Sequence, residues 1–137
     1  MASHVVATTD EIPPGGRKVT TIKGRPIVVF HTNGQYFALY DRCPHRGARL
    51  SDGKLTGLVE AREPGKYCYS RRGEIIRCPW HGWEFDLATG RSWCDPHRLR
   101  VKNYPVAVES GRQLVQGPYT AETLEVRVEG EYVVVEA

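Results

Sequence analysis

Two short stretches decide the fold of this 137-residue chain: residues 43–48, Cys-Pro-His-Arg-Gly-Ala, and residues 78–86, Cys-Pro-Trp-His-Gly-Trp-Glu-Phe-Asp. The first contains a Cys-x-His pair, Cys43 and His45, and the second a Cys-x-x-His pair, Cys78 and His81. Each stretch offers one thiolate and one imidazole from a tight loop, and its proline and glycine suit a sharply turning backbone. Together they predict one metal centre with two cysteine and two histidine ligands. We call residues 43–48 the first cysteine loop and residues 78–83 the second.

The sequence around both loops is typical of short β-strands. Asn33-Gly34 lies between two apolar segments and is the strongest short-range signal for a hairpin. Glu129-Gly130-Glu131 predicts a turn in a second hairpin near the end of the chain. Strands are predicted at residues 19–22, 27–31, 35–37, 74–77, 83–86, 99–102, 106–109, 124–128 and 132–135, and no long window has helical periodicity. We therefore expect an all-β chain with three groups of strands, the middle one holding all four cysteines.

Length and composition favour a single soluble domain of ordinary type. The chain is 40% hydrophobic and 26% charged, and its net charge of +3 comes from scattered basic residues. This balance argues against nucleic-acid binding. Residues 1–16 lack the pattern of an export signal, and no apolar run reaches the roughly 20 residues that span a bilayer. We therefore expect a cytoplasmic protein, in whose reducing surroundings cysteines beside histidines are more often metal ligands than disulfides.

The two cysteine loops, with Thr89-Gly90 beyond them, closely resemble the Rieske [2Fe-2S] family, in particular its soluble ferredoxin and ring-hydroxylating oxygenase branch. The resemblance extends from about residue 24 to about residue 108. It implies one [2Fe-2S] cluster per chain, in which Cys43 and Cys78 ligate the buried iron, and His45 and His81 ligate the outer iron near the surface.

The same resemblance implies a fold in which small antiparallel sheets stack on one another. One Rieske domain would cover residues 1–137, with a base formed by about 1–39 and 97–137. A cluster-binding subdomain, about 40–96, would be inserted in that base, and about 54–72 would be a loop insertion. The 32 residues between His45 and Cys78 make this spacer longer than in small Rieske ferredoxins. Whether the extra stretch docks a partner or is a surface loop without a role stays open.

The sequence also departs from the Rieske proteins of respiratory complexes, which resemble it in the ligands. Those proteins carry one more cysteine beside each loop, and the two form a disulfide; here the corresponding residues are Ala48 and Trp80. They also place a hydroxyl residue after the second loop, where this chain has Trp83. Fewer donors to the sulfurs predict a negative reduction potential, toward the low end of the family range of about −150 to +300 mV.

The resemblance implies an electron carrier with no bond chemistry of its own, which passes single electrons to or from an oxygenase or reductase partner. A catalytic oxygenase would need a second iron site and a substrate domain, for which this chain has no room. Two alternatives remain: a small Rieske subunit of a larger oxidoreductase, of the nitrite-reductase or a regulatory type, and a structural zinc module with the same four ligands. A cluster with histidine ligands predicts a reduction potential that falls as pH rises.

Other residues with possible chemistry are assigned ordinary roles. Cys68 and Cys94 are expected to be two thiols, although they could pair. His4, in an end expected to be mobile, is not expected to be a ligand, and neither are His31 and His97. Four aromatic residues are expected to form a small core that shields the cluster: Trp80, Trp83, Phe85 and Trp93. A basic face around the histidines, or simply a solvated surface, is expected from Arg46, Arg49, Arg71, Arg72, Arg98, Arg100 and Lys102.

Overall fold

The computed structural model describes residues 2–44, 47–80, 82–93, 99–114, 117–118 and 126–137, without the side chains of residues 58–63 and 66–68. Within these residues the chain forms ten strands, one four-residue α-helix, α1 (Gly111–Leu114), and two 3₁₀ helices, Thr9–Glu11 and Leu50–Asp52. The strands are β1 (Ser3–Thr8), β2 (Arg17–Ile22), β3 (Arg25–Thr32), β4 (Gln35–Tyr40), β5 (Lys54–Glu63), β6 (Lys66–Arg77), β7 (Glu84–Asp86), β8 (Asn103–Tyr104), β9 (Val106–Ser110) and β10 (Glu131–Glu136).

The strands form three small antiparallel sheets. The first has the order β1-β10-β9 and joins the two ends of the chain, the second has the order β2-β3-β4-β8, and the third has the order β5-β6-β7. The expected all-β class, with stacked small sheets and a middle group of strands, is confirmed. The exact boundaries between base and cluster-binding subdomain stay a prediction. No helix among the described residues is long and apolar enough to cross a membrane.

Two tight turns set the register of the second sheet. Asn33 and Gly34 have φ angles of 53° and 74°, and Lys23 and Gly24 have φ angles of 52° and 76°. Two consecutive left-handed residues are the geometry of a type I′ turn, whose twist matches that of the strands it connects. The hairpin predicted at Asn33-Gly34 is therefore confirmed, with His31 opposite Tyr36 and Thr32 opposite Gln35.

Three local predictions are wrong. Residues 99–102 form no strand, apart from one isolated bridge between Arg100 and Arg91. Of the strand predicted at residues 124–128, residues 126–128 form no strand, and residues 124 and 125 lie outside the described residues. The expected partner strand, β10, pairs instead with β1 on one side and with β9 on the other. The stretch 54–72, expected as a loop insertion, lies within the antiparallel hairpin of β5 and β6.

Two layers of core hold the sheets together. The first, between the second and third sheets, contains Phe30, Leu39, Ile76 and Phe85, all fully buried. The second packs the first sheet on the second, mainly through aliphatic residues of β1, β3 and β10. Fully burying one such side chain stabilises the fold by about 1.5–3 kcal/mol. The first layer also contains Cys43 and Cys78, the cysteines of the two loops. Cys43 and Cys78 are thus anchored in the apolar packing between the second and third sheets.

Candidate metal centre

The two cysteine loops have the same backbone hydrogen bonds. In the first, the Cys43 N–H donates to the Ala48 carbonyl at 2.7 Å, and the Gly47 N–H donates to the Cys43 carbonyl at 2.7 Å. In the second, the N–H of Cys78 donates to the carbonyl five residues on at 2.7 Å, and the Gly82 N–H donates to the Cys78 carbonyl at 3.1 Å. Both loops thus place a cysteine at the same point of the same turn.

A glycine in each loop makes this turn possible. Gly47 and Gly82 occupy equivalent positions, four residues after the cysteine, and have φ angles of 77° and 71°. An L-residue with a side chain is strained in this left-handed conformation, whereas glycine is not. Both glycines suit a sharply turning backbone from the sequence alone, and the structure gives them this conformational role.

The cysteines point into the core. Cys43 is 1% exposed and Cys78 is 2% exposed, and neither forms a disulfide within the described residues. Both belong to the apolar cluster between the second and third sheets. Two buried thiols on matched loops fit a group held by thiolates, because an apolar shell limits access of solvent to the sulfur atoms. The donor set therefore fits the buried side of an iron-sulfur cluster.

His45 and His81 lie outside the described residues. Among the residues that are described, no group of three or more His, Cys, Asp or Glu side chains could hold a metal ion. The structure therefore places the two cysteines, while the histidine half of the ligand set stays a prediction from the sequence.

A buried carboxylate braces the first loop. Asp41, two residues before Cys43, is 0% exposed. Its Oδ1 accepts a hydrogen bond from the Ser51 N–H at 2.7 Å, and its Oδ2 accepts one from the Ser51 hydroxyl at 2.7 Å. Residues 41 and 51 are thus joined across the base of the loop. This pair is not predictable from the sequence, because nothing in the spacing of Asp41 and Ser51 distinguishes it from other Asp and Ser pairs.

Arg17, on β2, ties the same segment to the second sheet. Its guanidinium donates to the carbonyls of Ser51 at 2.9 Å and Gly53 at 2.7 Å, and it stacks over the Phe30 ring, 5.0 Å from the centroid. Burial lowers the pKa of Arg17, and the nearby charges of Asp41 and Asp52 oppose that shift. An arginine stays charged in this setting, so it supplies a fixed cation beneath the first loop.

The root of the β5–β6 hairpin is fixed from three sides. Residues 71–74 bulge out of β6 opposite Gly57. The Arg71 guanidinium donates to Asp86 at 2.6 Å, at the end of β7, and a hydrogen bond to Asp86 raises the pKa of Arg71. The Asn33 side-chain amide donates to the Arg72 carbonyl at 2.8 Å, and the Leu87 N–H donates to the Glu74 carbonyl at 3.0 Å. The bulge therefore links the hairpin, the second sheet and the strand after the second cysteine loop.

Of the four aromatic residues expected to form a core that shields the cluster, two lie in the core and two on the surface, so the expectation is wrong for Trp80 and Trp93. Phe85 is fully buried and Trp83 packs partly buried against the same cluster, as expected. Trp80 and Trp93 are instead 62% and 48% exposed. Trp93 stacks under the Arg71 guanidinium, 5.5 Å from the ring centroid. Large aromatic side chains so exposed are available for contacts with other molecules.

Of the histidines outside the two loops, the structure describes His4 and His31. His4 is not in a mobile end: it lies in β1 opposite Val135 and is 8% exposed. His31 has its Nδ1 at 2.7 Å from the Ile12 carbonyl, which gives it a structural role. The backbone of Cys68 lies in β6, but its side chain is not described. His97 and Cys94 lie outside the described residues, so the state of the two additional thiols stays a prediction.

Part of the expected basic face is exposed. Arg49, Arg72, Arg100 and Lys102 are exposed, while Arg71 is engaged with Asp86 and Glu74. Arg46 and Arg98 lie outside the described residues. Among the side chains that the structure describes, no carboxylate forms an ion pair with Arg49, Arg72, Arg100 or Lys102.

Comparison with known proteins identifies the family. The model of the Rieske [2Fe-2S] domain matches residues 2–105. The ferredoxin component of the naphthalene 1,2-dioxygenase system of Pseudomonas aeruginosa is 34% identical over 105 residues, covering 77% of this chain and 86% of that protein. The ferredoxin subunit of the 3-phenylpropionate/cinnamic acid dioxygenase of Photorhabdus laumondii subsp. laumondii is 35% identical over 112 residues, covering 81% of this chain and 90% of that protein.

Solved structures have the same fold. The ferredoxin of carbazole 1,9a-dioxygenase from Nocardioides aromaticivorans matches with a TM-score of 0.61 at 22% identity, covering 97% of each chain. A chain in a complex of reduced oxygenase and oxidised ferredoxin of carbazole 1,9a-dioxygenase matches with a TM-score of 0.60 at 23% identity, covering 96% of this chain and 91% of that one. At this identity the likeness concerns the fold.

These relatives are ferredoxin components of dioxygenase systems rather than catalytic subunits, so the predicted function of a ferredoxin-like electron carrier is confirmed. The predicted cofactor, one [2Fe-2S] cluster, is confirmed by the matching domain. With its two matched cysteine loops on stacked antiparallel sheets, the chain belongs to the Rieske [2Fe-2S] domain family.

Proposed function

We propose that Cys43, His45, Cys78 and His81 hold the [2Fe-2S] cluster, and that the protein passes single electrons from a reductase to the oxygenase of a ring-hydroxylating dioxygenase system. The observation that carries the ligand assignment is the identical hydrogen bonding of the two loops around two buried cysteines. The bound cluster would supply reversible one-electron chemistry. The protein supplies position, burial and a docking surface.

The two cysteines would take the inner side of the cluster because their side chains lie in the apolar core. The histidines follow them in the same tight loops, two residues after Cys43 and three residues after Cys78. Since Pro79 and Trp80 are exposed, the second loop leaves the core directly after Cys78. This change from buried to exposed supports inner thiolates and outer imidazoles.

The partner assignment rests on the relatives. The proteins of Pseudomonas aeruginosa and Photorhabdus laumondii serve dioxygenase systems as ferredoxins, and the carbazole structure holds oxygenase and ferredoxin together. This supports an oxygenase as the electron acceptor here. A cytoplasmic location is part of the same proposal, because thiolate ligands are kept reduced there.

Spectroscopy of ligand variants tests the cluster assignment. The anaerobically purified protein should contain about two irons and two sulfides per chain, and dithionite should produce a rhombic EPR signal with a low average g value. Cys43→Ser, Cys78→Ser, His45→Ala and His81→Ala should each abolish that signal. His31→Ala is the matched control and should keep it, because its imidazole binds a backbone carbonyl. A protein with one zinc and no EPR signal would refute the assignment.

Electron transfer to an oxygenase tests the partner assignment separately. The reduced protein is mixed anaerobically with the oxidised oxygenase component of the naphthalene 1,2-dioxygenase system, whose ferredoxin is 34% identical. Reoxidation of the protein, followed by its visible absorption, is the expected result. If the protein has the Rieske EPR signal but this oxygenase and that of the carbazole system both leave it reduced, the dioxygenase partner is wrong and the cluster assignment stands.

A further inference from the structure

A cavity of about 470 Å³ opens beside the second cysteine loop. One wall is formed by Cys78, Pro79 and Trp80, and the facing wall includes Lys54 and Arg77 from the paired ends of β5 and β6. Binding cavities of proteins commonly have volumes of about 300–1,000 Å³. This cavity is therefore large enough for a side chain of another protein, and it lies directly against a cysteine of the metal centre.

Two cations on the facing wall have no ion-pair partner among the side chains that the structure describes. Lys54 and Arg77 are directly opposite each other in the β5–β6 pair, and both are exposed. Like charges at opposed positions of two strands destabilise the pair. Glu84 is the register partner of Arg77 on the other side, yet no carboxylate of the described residues comes within 4.0 Å of either cation. The arrangement is thus one that an added anion would stabilise.

The guanidinium of Arg77 turns toward the second loop instead of toward Glu84. A Cβ atom built on Gly82 would lie 2.9 Å from one guanidinium nitrogen of Arg77 and 3.0 Å from another. Arg77 thus packs on the backbone of the loop, with its charge at the cavity wall. Asp52 also lines the cavity, and its charge is felt by Arg17. Counting Lys54, Arg77 and Asp52, the cavity wall carries a net positive charge.

Trp80 adds an apolar surface to the two cations. Its side chain is 62% exposed, more than any other large apolar side chain that the structure describes. Tryptophan and arginine are enriched among the residues that contribute most binding energy in protein interfaces. An indole beside two cations matches a carboxylate side chain, whose methylene stem packs on the ring while its oxygens approach the ammonium and guanidinium groups.

We propose that this cavity receives an acidic side chain of the redox partner, bound by Lys54 and Arg77 and packed against Trp80. The inference rests on the proposed electron-transfer function and names the chemistry of the partner surface. Docking here would place the partner against the loop that carries Cys78, and the charges would accelerate encounter with an acidic surface.

The test uses cluster-loaded protein and a blocked tetraglutamate peptide, with the tetraglutamine peptide as neutral probe. Calorimetric titration at low salt measures affinity, and visible circular dichroism of the cluster reports whether binding occurs next to the second loop. The wild-type protein should bind the glutamate peptide and change its visible spectrum. Lys54→Gln should weaken binding about two- to fivefold, as expected for an exposed ion pair, and Lys54→Glu should weaken it further.

Two more variants separate this site from general attraction between charges. Arg25→Glu makes the same kind of charge reversal at an exposed position on β3, with no described side-chain contact, and should change affinity less than twofold. Trp80→Ala should weaken binding without changing the net charge. Arg77→Lys, which keeps the charge, should retain most of the affinity.

Three results would overturn the proposal: equal binding of the glutamine peptide, equal weakening by Arg25→Glu and Lys54→Glu, or no effect of the glutamate peptide on the visible spectrum. Each can be told from failure of the proposed function. The Rieske EPR signal of the same samples shows whether the cluster is present, independently of any peptide.

Discussion

Removing the carboxylate of Asp41 should loosen the first cysteine loop. Asp41→Ala deletes two hydrogen bonds of 2.7 Å that a fully buried carboxylate accepts from Ser51. Hydrogen bonds to charged groups contribute about 1.5–3 kcal/mol each. Part of that gain is offset in the wild-type protein by the cost of burying the charge. We therefore expect a net loss of about 3 kcal/mol for Asp41→Ala and about 1 kcal/mol for Asp41→Asn, which keeps one acceptor oxygen.

Calorimetric melting of the cluster-loaded protein measures this effect. For a chain of this size, 1 kcal/mol corresponds to about 3–4 °C in Tm, so Asp41→Ala should melt about 10 °C below the wild-type protein at the same scan rate. Ser51→Ala should show a smaller decrease, because the backbone N–H still reaches the carboxylate. Asp10→Ala, at an exposed position, should change Tm by less than 2 °C. A Tm for Asp41→Ala equal to that of Asp10→Ala would refute the bracing role.

Further predictions follow from the same structure. Gly90 and Gly24 both have a φ angle of 76°, but a Cβ atom on Gly90 would lie 2.1 Å from a backbone carbonyl oxygen, whereas a Cβ atom on Gly24 has nothing within 4 Å. Gly24→Ala should lower the free energy of unfolding by about 1–2 kcal/mol, and Gly90→Ala should lower it distinctly more. Unfolding by denaturant measures both. Arg17→Met should lower the free energy of unfolding by about 2 kcal/mol, because the carbonyls of Ser51 and Gly53 lose their donor. Arg17→Lys should lower it by a smaller amount. Equal stability of the wild-type protein and both variants would contradict this. A hydrogen bond from Lys18 lowers the pKa of Glu11 in the folded protein. The Glu11 carboxylate therefore stabilises the fold above its ordinary pKa of 4.5, and this stabilisation is lost as pH falls through the lower folded-state pKa. Glu11→Gln should reduce the loss of Tm on acidification, and a pH profile of Tm equal to that of the wild-type protein would contradict this.

The features predictable from the sequence were local ones. The hairpin at Asn33-Gly34 could be predicted because the turn residues themselves require the left-handed conformation that the structure contains. The two cysteine loops could be predicted because ligand, proline and glycine stand within six residues of each other. The β5–β6 hairpin has such a local signal too, because Pro64-Gly65 stands at its turn and Gly65 has a φ angle of 79°.

Features that depend on distant partners could not be predicted. The strand predicted at residues 132–135 is confirmed, but its predicted hairpin partner, residues 124–128, is wrong, because β10 pairs with β1 and β9. A fully apolar strand gives no indication of which two strands will pair with its edges. Arg17 lies 34 residues from Ser51, and their contact exists only because β2 passes beside the segment after the first loop. Burial of Asp41 was unpredictable for the same reason, since a carboxylate before a loop is ordinarily exposed.

The separate bracing of the two loops bears on how the cluster is held. Asp41 and Arg17 fix the first loop to the second sheet, whereas the second loop is fixed by β6 and β7 of the third sheet. A cluster bound to Cys43 and Cys78 would join these two sheets across 34 intervening residues, and closing a long loop removes much entropy from the unfolded chain. Each loop also has its own backbone hydrogen bonds around its cysteine. Buried contacts remote from the sulfur atoms therefore matter for the centre, because they hold each cysteine on its own sheet.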